Sequence, residues 1–292
     1  QCAHIMSERQ RMMEFELGRL DEGFFFVLFD TPDRIQHMFW RFREPNHPAY
    51  AQPRPGLEHV IEDCYRVCDA IVGRAFEYVD DRTLLIVVSD HGFSSFRRGL
   101  HLNAWLRQQG FLTLRPDADP HSSFLEAVDW SRTRAYAVGL GAIYLNRADR
   151  EAHGIVHPQE SESLERRIAQ ALATLRDPQS GEPAVRRVVR SADAYHGAAT
   201  ESAPDLVVCF TPGYRASWAT ALGGGFAEPL LEDNRKAWSG DHVVDPECVP
   251  GTLLMNRPFH RERASLVDLA PTVLNAFGLG KGPELEGESL LI

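Results

Sequence analysis

The stretch TLLIVVSDHGF, residues Thr83–Phe93, decides which fold this sequence predicts. Its first six residues, Thr83–Val88, are β-branched or apolar without alternation, which is the pattern of a strand buried on both faces of a parallel sheet. Asp90 and His91 follow at the carboxyl end of this predicted strand, where open α/β sheets bind their ligands. Carboxylate and imidazole groups suit zinc or manganese, so the stretch is a candidate metal site. The alternative is a polar turn without a ligand, because Asp, His and Gly are also ordinary turn residues.

Composition and charge narrow the classes of function. The chain has 292 residues, 43% of them hydrophobic and 25% charged, which is typical of a globular protein that buries a sizeable core. Its 41 acidic residues outnumber its 31 basic residues, which gives a formal net charge of -10. We therefore do not expect binding to a nucleic acid polymer or to an anionic membrane surface. No apolar run approaches the roughly 18 residues that a membrane-spanning helix needs, and nothing in the sequence fixes an oligomeric state.

The cysteines indicate a reducing compartment. Their odd number of five, without a CxxC pair, favours reduced and mostly buried thiols. We therefore expect a cytoplasmic protein, although an N-terminal signal could lie upstream of the residues shown. Cys64 and Cys68 are four residues apart on a predicted helix. Core packing is favoured there over half of a metal site, because no second Cys/His pair lies near in the sequence.

Helices and strands alternate before residue 93. Apolar spacing predicts helices over Ser7–Leu20, Arg34–Arg43 and Leu57–Val79. The continuous apolar run Phe24–Phe29 predicts a second buried strand. A strand at Thr252–Met255 and a capped helix at Leu266–Phe277 continue the pattern near the end of the chain. This alternation is typical of an α/β fold with a doubly wound, mostly parallel sheet.

The middle of the chain has a different pattern. It predicts helices at Asn103–Gln108 and Ser161–Leu175, strands at Gly110–Leu114, Val185–Arg190 and Leu206–Phe210, and a hairpin at Tyr136–Asn146. Residues 94–236 are therefore expected to form an α+β insertion on the substrate side. Residues 1–93 and 237–292 are expected to form the α/β metal-binding core, with the N-terminal part of the full domain absent.

Two further groups of the same residue types lie elsewhere in the chain. Asp33 and His37 are four residues apart on a predicted helix that begins just after a predicted strand, so both side chains lie on one helix face. His242 lies in a Gly-Asp-His turn before the last predicted strand. Each group has an ordinary alternative: Asp33 favours the positive end of a helix, and His37 packs in the core. Asp241 and His242 could likewise be surface turn residues.

Taken together, the three groups favour one shared site. Chance placement of all three near strand ends of one sheet is much rarer than chance placement of any one. A dinuclear site needs about six to eight donors around ions about 3.5–4 Å apart. The chain offers five donors, Asp33, His37, Asp90, His91 and His242, which falls short of a full set.

The order of these motifs resembles the alkaline phosphatase superfamily, and in particular its type I phosphodiesterase/nucleotide pyrophosphatase branch. DxxxH comes first, SDHGF follows a strand, and GDH precedes a strand. Further stretches look like those of bacterial members of the branch: FDTPDRIQHMFWRF, YRVCDAIVG, HLNAWL, APDLVV and DLAPTVLNAFGL. The resemblance covers nearly the whole chain and implies an alkaline-phosphatase-like α/β fold.

The resemblance also implies a reaction and a ligand set. Asp33, His37 and His242 would bind one zinc ion, and Asp90 and His91 would bind a second, with manganese as the alternative metal. The reaction would be hydrolysis of phosphodiester or nucleotide pyrophosphate bonds in a small phosphorylated substrate. In the family a Thr or Ser nucleophile attacks phosphorus, and two cations neutralise the oxygens that gain charge in the transition state.

The sequence departs from the family pattern at its start. In the family an N-terminal Asp ligand and the Thr or Ser nucleophile both come well before DxxxH. Only 32 residues precede Asp33 here, and Thr31 is too close to it to be the nucleophile. We therefore expect the chain to be the C-terminal portion of a longer enzyme, and to be inactive by itself. The alternatives are a catalytically inactive binding module or another superfamily activity, namely phosphomonoesterase, cofactor-independent phosphoglycerate mutase or phosphonate hydrolase.

Residues that bind the substrate stay unassigned at this point. Arg97, Arg98 and His101 follow SDHGF closely, and Arg150 follows the predicted hairpin. Any of them could hold a phosphate, although exposed arginines are commonly only solvated. Trp238, beside the GDH turn, could stack on a base or pack in the core.

Overall fold

The computed structural model describes residues 1–51, 55–227, 229–259, 261 and 263–291. Its helices, numbered along the chain, are α1 (Cys2–Leu17), α2 (Thr31–Arg43), α3 (Val60–Phe76), α4 (Leu102–Gln108), α5 (Pro158–Ala173), α6 (Ser191–Ala194), α7 (Trp218–Ala221) and α8 (Leu269–Ala276). Its strands are β1 (Ile86–Val88), β2 (Ser94–Leu100), β3 (Ala135–Ala137), β4 (Ala142–Leu145), β5 (Val185–Arg190), β6 (Leu206–Phe210), β7 (Gly213–Ala216), β8 (Leu231–Asp233), β9 (Gly240–Asp241) and β10 (Leu253–Met255). Among these helices, none has both the length and the hydropathy that a membrane crossing requires.

The chain divides into two compact units. The first comprises Gln1–Gln36, Pro53–Gly92 and Pro250–Ile292. The second comprises His37–Gln52 and Phe93–Val249. The predicted division into residues 1–93 with 237–292 and residues 94–236 stays a prediction.

The first unit has a small core between α1 and α3. Met6, Met13 and Ile71 are buried in it. Residues 24–29 lie against this core through Phe25, Val27 and Phe29, which are partly buried. Their neighbours Phe24, Phe26 and Leu28 are 64%, 70% and 58% exposed.

The prediction of a buried strand over Phe24–Phe29 is therefore wrong. The described residues show no ladder that includes this segment, and every second side chain faces solvent. Because an extended chain places successive side chains on opposite faces, packing on one side leaves the other side open. A continuous apolar run predicts burial on both faces only where both faces have neighbours.

The run Thr83–Val88 also forms less strand than predicted. β1 covers its last three residues and pairs antiparallel with β10, with Val87 opposite Leu254. Val88 is 40% exposed and Leu254 is 57% exposed. The prediction of a strand buried on both faces of a parallel sheet is thus wrong for this stretch, because a two-stranded antiparallel pair covers only part of its apolar surface.

The second unit contains two sheets. In one, β2 pairs in parallel with β7 and antiparallel with β8 and β9. In the other, the strand order β3-β4-β6-β5 is antiparallel throughout. Helix α5 lies against β5, and α4 lies against β3. Helices and sheets thus mix along the chain, as the predicted α/β class requires, and parallel pairing occurs between β2 and β7.

The core of the second unit is large and well buried. It is one cluster of aliphatic and aromatic side chains that extends in sequence from Leu100 to Val249. Ile143, Leu145 and Leu206 are fully buried in it. This unit therefore has the hydrophobic interior of an independently stable domain.

Several predictions for the second unit are confirmed. Strands β5 and β6 have the predicted bounds. The predicted hairpin is the β3–β4 pair, where Gly139 and Gly141 adopt φ values of 83° and 125° that favour glycine. Helix α5 begins three residues before the predicted start, at Pro158, because His157 and Glu160 form a capping box.

Two features of the second unit were not predicted correctly. Gly110–Leu114 is not a strand; Leu114 makes an isolated bridge to Val128. Strand β2 was not predicted, because its sequence SSFRRGL is too polar to show a buried-strand pattern.

Candidate metal-binding site

In the first unit the structure brings Asp33, Asp90 and His91 together. Nε2 of His91 lies 3.6 Å from Oδ2 of Asp90 and 4.0 Å from Oδ1 of Asp33. Nδ1 of His91 donates a hydrogen bond to the carbonyl oxygen of Gly92 at 2.9 Å. A carbonyl only accepts, so this bond places the proton on Nδ1 and leaves the lone pair of the neutral ring on Nε2. The atom that faces the two carboxylates is therefore the atom that can bind a cation.

The backbone before Asp90 is fixed by the segment that leads into β10. The N–H of Ser89 donates to the carbonyl oxygen of Thr252 at 2.9 Å, and Oγ of Ser89 accepts from the N–H of Thr252 at 2.8 Å. A Cβ atom at Gly251 would lie 2.3 Å from the carbonyl oxygen of Ser89, so only glycine permits this approach. These contacts hold the turn that presents Asp90 and His91.

The three donors of the first unit are accessible to solvent. The side chain of Asp90 is 75% exposed, that of Asp33 is 41% exposed and that of His91 is 24% exposed. Asp33 lies in the first turn of α2, where a carboxylate also favours the positive end of the helix. An ion from solvent can thus reach these side chains without a rearrangement of the core.

In the second unit His37 is held from three sides. Its Nδ1 donates to the carbonyl oxygen of Gly240 at 2.8 Å, which again leaves the lone pair on Nε2. Its ring stacks on Trp238 at a centroid distance of 3.7 Å and meets the edge of Phe93 at 4.8 Å. The ring of His242 lies 5.3 Å from that of His37. His37 is only 3% exposed, so it packs in the core, as one of its two interpretations from the sequence required. It also lies beside His242, so core packing does not exclude a role in a shared site.

Asp241 is buried, so its interpretation as a surface turn residue is wrong. Its side chain is 2% exposed and pairs with Arg215, whose Nη1 donates to Oδ2 at 2.6 Å. Nε1 of Trp238 donates to the same oxygen at 2.8 Å, and the N–H groups of His242 and Val243 donate to Oδ1 at 2.8 and 3.0 Å. Burial alone would raise the pKa of Asp241, but the charge of Arg215 and these hydrogen bonds outweigh it, so the pKa is lowered. The carboxylate is therefore ionised at neutral pH.

Arg215 lies in a slot between two aromatic rings. Its guanidinium carbon is 4.2 Å from the ring centroid of Phe96 and 4.1 Å from that of Trp218. The side chain is 2% exposed. Cation–π contacts to the two rings and the carboxylate of Asp241 together offset part of the cost of burying this charge.

The five residues predicted from sequence thus fall into two groups, one in each unit. Asp33, Asp90 and His91 meet in the first, and His37 and His242 lie near each other in the second. That all five bind metal stays a prediction. Sequence reasoning did not identify Arg215, which has no metal-binding chemistry and lies far from the other residues in sequence.

The residues considered for phosphate binding are engaged in other contacts. Arg98 pairs with Asp177, Arg150 pairs with Asp205 at 2.6 Å, and Arg97 donates to a backbone carbonyl at 3.0 Å. His101 is 1% exposed and bonds Oγ of Ser217 at 2.9 Å, while Trp238 is held by Asp241 and His37. These contacts account for the positions of the side chains without a bound phosphate or base. Substrate-binding residues therefore stay unassigned.

Comparison with known proteins defines the class. The α/β fold is that of the alkaline phosphatase superfamily, as the order of the motifs implied. The model of one hydrolase family, described as type I phosphodiesterase / nucleotide pyrophosphatase, matches residues 7–223. This match covers well over half of the chain, and the chain belongs to that family. His242 lies beyond the matched residues, whereas the other four predicted ligands lie within them.

Similar solved structures were also found. Human ectonucleotide pyrophosphatase / phosphodiesterase 5 is 15% identical with a TM-score of 0.41, and the match covers 90% of this chain and 62% of that chain. The murine protein gives 15% identity and a TM-score of 0.43 over the same shares, and an inactive murine form in complex with AMP gives 16% and 0.42 over 88% and 61%. The chain thus spans about 62% of the length of these proteins. No curated protein matches it in sequence.

Proposed function

We propose that this chain provides the metal-binding side chains of a hydrolase that cleaves phosphodiester or nucleotide pyrophosphate bonds. Family membership supports the reaction class. The arrangement of Asp33, Asp90 and His91 supports the use of a metal ion. The nucleophile is assigned to a segment outside these 292 residues, as the resemblance implies.

One observation carries the proposal: the lone-pair nitrogen of His91 faces two carboxylate oxygens. A positive charge between Nε2 and these carboxylates makes the arrangement favourable, and a bound divalent cation supplies that charge, as a proton on Nε2 also would. The separation of 3.6 Å between His91 and Asp90 is close to the roughly 3.4 Å between ligand atoms of a tetrahedral zinc ion, and Oδ1 of Asp33, at 4.0 Å from His91, is near enough to bind a neighbouring cation. The donor types and their spacing therefore fit a divalent cation.

The full ligand set is the one that the resemblance implies. Asp33, His37 and His242 are assigned to one cation, and Asp90 and His91 to a second, with zinc as the proposed metal and manganese as the alternative. Such cations, when bound, neutralise charge on the phosphoryl oxygens of the substrate. The substrate is proposed to be a small phosphorylated molecule, since the chain has a net charge of -10 and no excess of basic residues for a polymer.

The protein itself contributes orientation. His37 and His91 each donate Nδ1–H to a backbone carbonyl, so each ring is fixed in the tautomer that leaves Nε2 as the ligand atom. Ring orientation is therefore set before any ion arrives. This device is typical of histidines that bind metals.

A zinc titration of the chain tests the proposal. Purified protein is stripped of metal and titrated with zinc against a chromophoric chelator, for the parent, His91→Ala and His59→Ala. His59 is an exposed histidine of the first unit outside the proposed ligand set and serves as the matched control. We expect His91→Ala to weaken zinc binding by at least about 100-fold, as loss of a direct ligand should, and His59→Ala to leave it unchanged. Equal affinity in parent and His91→Ala would refute the assignment.

Substrate turnover distinguishes the reaction class. A longer protein that includes the upstream nucleophile is expected to hydrolyse bis-p-nitrophenyl phosphate faster than p-nitrophenyl phosphate, and to lose this activity when metal is removed. A preference for the monoester would favour a phosphomonoesterase instead. Metal-dependent hydrolysis by the 292 residues alone would show that the nucleophile lies within them.

A further inference from the structure

Four hydrogen-bond donors converge on the carboxylate of Asp241 within the second unit. Two are the backbone N–H groups of His242 and Val243, one is Nε1 of Trp238, and one is Nη1 of Arg215. The first two set the direction of the turn at His242. The carboxylate therefore fixes the backbone from which a proposed ligand projects.

The same carboxylate controls His37 through two links. Trp238, which it holds, stacks on the ring of His37 at 3.7 Å. Gly240, which immediately precedes Asp241, provides the carbonyl oxygen that accepts Nδ1–H of His37 at 2.8 Å. Displacement of Asp241 would thus disturb the stacking partner and the hydrogen-bond acceptor of His37 together.

The ion pair that holds this arrangement is costly to bury. Arg215 and Asp241 are each 2% exposed, and desolvation of two charges often offsets their attraction. Nη2 of Arg215 is buried without a hydrogen-bond partner among the described residues. Apolar residues of similar volume would fill the space at less cost, so the pair is better explained by the geometry it imposes than by stability.

We propose that Arg215 and Asp241 are positioning residues that hold His37 and His242 ready to bind a divalent cation. Neither residue contacts the ion in this proposal. Arg215 holds the carboxylate, and the carboxylate holds the GDH turn and Trp238. This inference rests on the proposed function, because it assigns His37 and His242 the role of ligands.

A second buried ion pair in the same unit provides the control. Asp177 is 1% exposed, pairs with Arg98, and accepts a hydrogen bond from the hydroxyl of Tyr214 at 2.9 Å. The side chain of Asp177 bonds to Arg98, to Tyr214 and to the N–H of Gln179. Asp177→Asn therefore removes a comparable charge without touching the GDH turn.

The first readout needs no metal. The metal-free chain is labelled with ¹⁵N-histidine, and the imidazole spectrum is recorded for the parent, Asp241→Asn and Asp177→Asn. We expect His37 of the parent in one tautomer with Nδ1 protonated, and a mixture of tautomers in Asp241→Asn, because the carbonyl acceptor is no longer fixed. Asp177→Asn should keep the parent spectrum at His37. If Asp241→Asn does not fold, Trp238→Phe replaces it, since it keeps an aromatic ring but loses the donor to Asp241.

The second readout is zinc affinity, measured by competition with a chromophoric chelator. Loss of a residue that orients a ligand typically weakens metal binding about 10- to 100-fold, and we expect this range for Asp241→Asn and a smaller loss for Trp238→Phe. Asp177→Asn should bind zinc as the parent does.

The two readouts distinguish a failure of the proposed function from a failure of the positioning role. If the parent binds no zinc but Asp241→Asn still mixes the tautomers of His37, the proposed function fails and the positioning role stands. If Asp241→Asn matches Asp177→Asn in both the imidazole spectrum and zinc affinity, the positioning role is overturned while the proposed function is untouched.

Discussion

The two units of this chain differ sharply in how they bury apolar surface. The second has a continuous core from Leu100 to Val249 in which many side chains are fully buried. The first buries Met6, Met13 and Ile71, and leaves large side chains such as Phe26 exposed. The predicted metal ligands differ in the same way, since His37 is 3% exposed whereas the side chain of Asp90 is 75% exposed.

This difference shows two ways of preparing a binding group. In the second unit, His37 is oriented by aromatic packing and a buried ion pair, so its geometry is set by the core. In the first unit, His91 and Asp90 lie on a turn anchored by hydrogen bonds between Ser89 and Thr252, and the side chain of Asp90 is 75% exposed. We expect substitutions in the second unit to change stability, and substitutions in the first to change mainly what the side chains bind.

The largest expected effect is on the core of the second unit. Leu145→Ala should lower the free energy of unfolding by about 2–5 kcal/mol, because it removes a fully buried side chain and leaves a cavity. All five tryptophans lie in the second unit, so intrinsic fluorescence in a urea titration follows this unit alone. Leu28→Ala, at a position 58% exposed in the first unit, is the matched control and should leave the fluorescence transition in place. A similar shift of the urea midpoint in both variants would contradict the expected difference between the two units.

A smaller effect is expected at the buried carboxylate of Asp177. Burial alone would raise its pKa, but the N–H of Gln179, Arg98 and Tyr214 outweigh it, so the pKa is lowered. Because the pKa is lower in the folded state, the ionised carboxylate stabilises the fold at any pH above its unfolded-state pKa of about 3.9. This stabilisation is lost as the pH falls through the pKa of the folded state. Asp177→Asn should therefore cost about 1.5–3 kcal/mol at pH 7, and the difference from the parent should shrink below about pH 4.

Urea midpoints measured by fluorescence at pH 7, 5 and 3 check this prediction. A difference between parent and Asp177→Asn that stays constant down to pH 3 would show that the carboxylate is not held in the ionised form. The Arg98→Met variant should show a loss at least as large at pH 7, since it leaves the buried carboxylate of Asp177 without its partner charge.

The two histidines that are proposed as ligands, His37 and His91, provide a third contrast. His37→Ala should lower the stability of the second unit by about 1–2 kcal/mol, because it removes a buried hydrogen bond and the stacking partner of Trp238. His91→Ala should lower the free energy of unfolding less, by about 0.5–1 kcal/mol, since its side chain is 24% exposed and its hydrogen bond to Gly92 is local. Far-UV circular dichroism in urea follows both units and is the appropriate measurement. Equal losses for the two variants would mean that His91 is more firmly packed than its exposure indicates.

The smallest effect on stability is expected at the exposed apolar segment of the first unit. Phe26→Ser, at a position 70% exposed, should change stability by less than about 0.5 kcal/mol. It should lower the fluorescence of a bound hydrophobic dye, because it removes part of an open apolar surface. Phe25→Ser is the comparison on the opposite face of the same segment, and it should destabilise the unit because Phe25 packs against the core.

Local pattern predicted those elements that local physics determines. Strands β5 and β6 and the hairpin were predictable because alternation and turn glycines act over a few residues. The segment Phe24–Phe29 and the strand β1 were predicted with too much burial, because the number of covered faces depends on neighbours that the local sequence does not name. Strand β2 was missed for the opposite reason, since its polar side chains are satisfied by partners far along the chain.

The residues of the candidate site divide in the same way, into those that the local sequence indicates and those that depend on distant contacts. The sequence suffices to propose five ligands, because their residue types carry metal chemistry and their motifs occur in a recognisable order: Asp33, His37, Asp90, His91 and His242. The burial of Asp241 was not predictable, because Gly-Asp-His reads as a surface turn. Arg215 was not predictable either, since its role depends on a contact 26 residues away in sequence.

The slot that holds Arg215 offers a way to compare related sequences. A guanidinium is a flat cation that fits between Phe96 and Trp218, whereas the ammonium of lysine is a compact charge on a flexible stem. Lysine at this position would therefore count as a loss and not as a conservative exchange. Arg215 precedes Trp218 by three residues, and Trp238 precedes Asp241 by three residues. The sequence patterns R-x2-W and W-x2-D therefore form a paired signature. A relative that keeps the metal motifs but lacks either half of this signature is expected to hold its histidines less firmly.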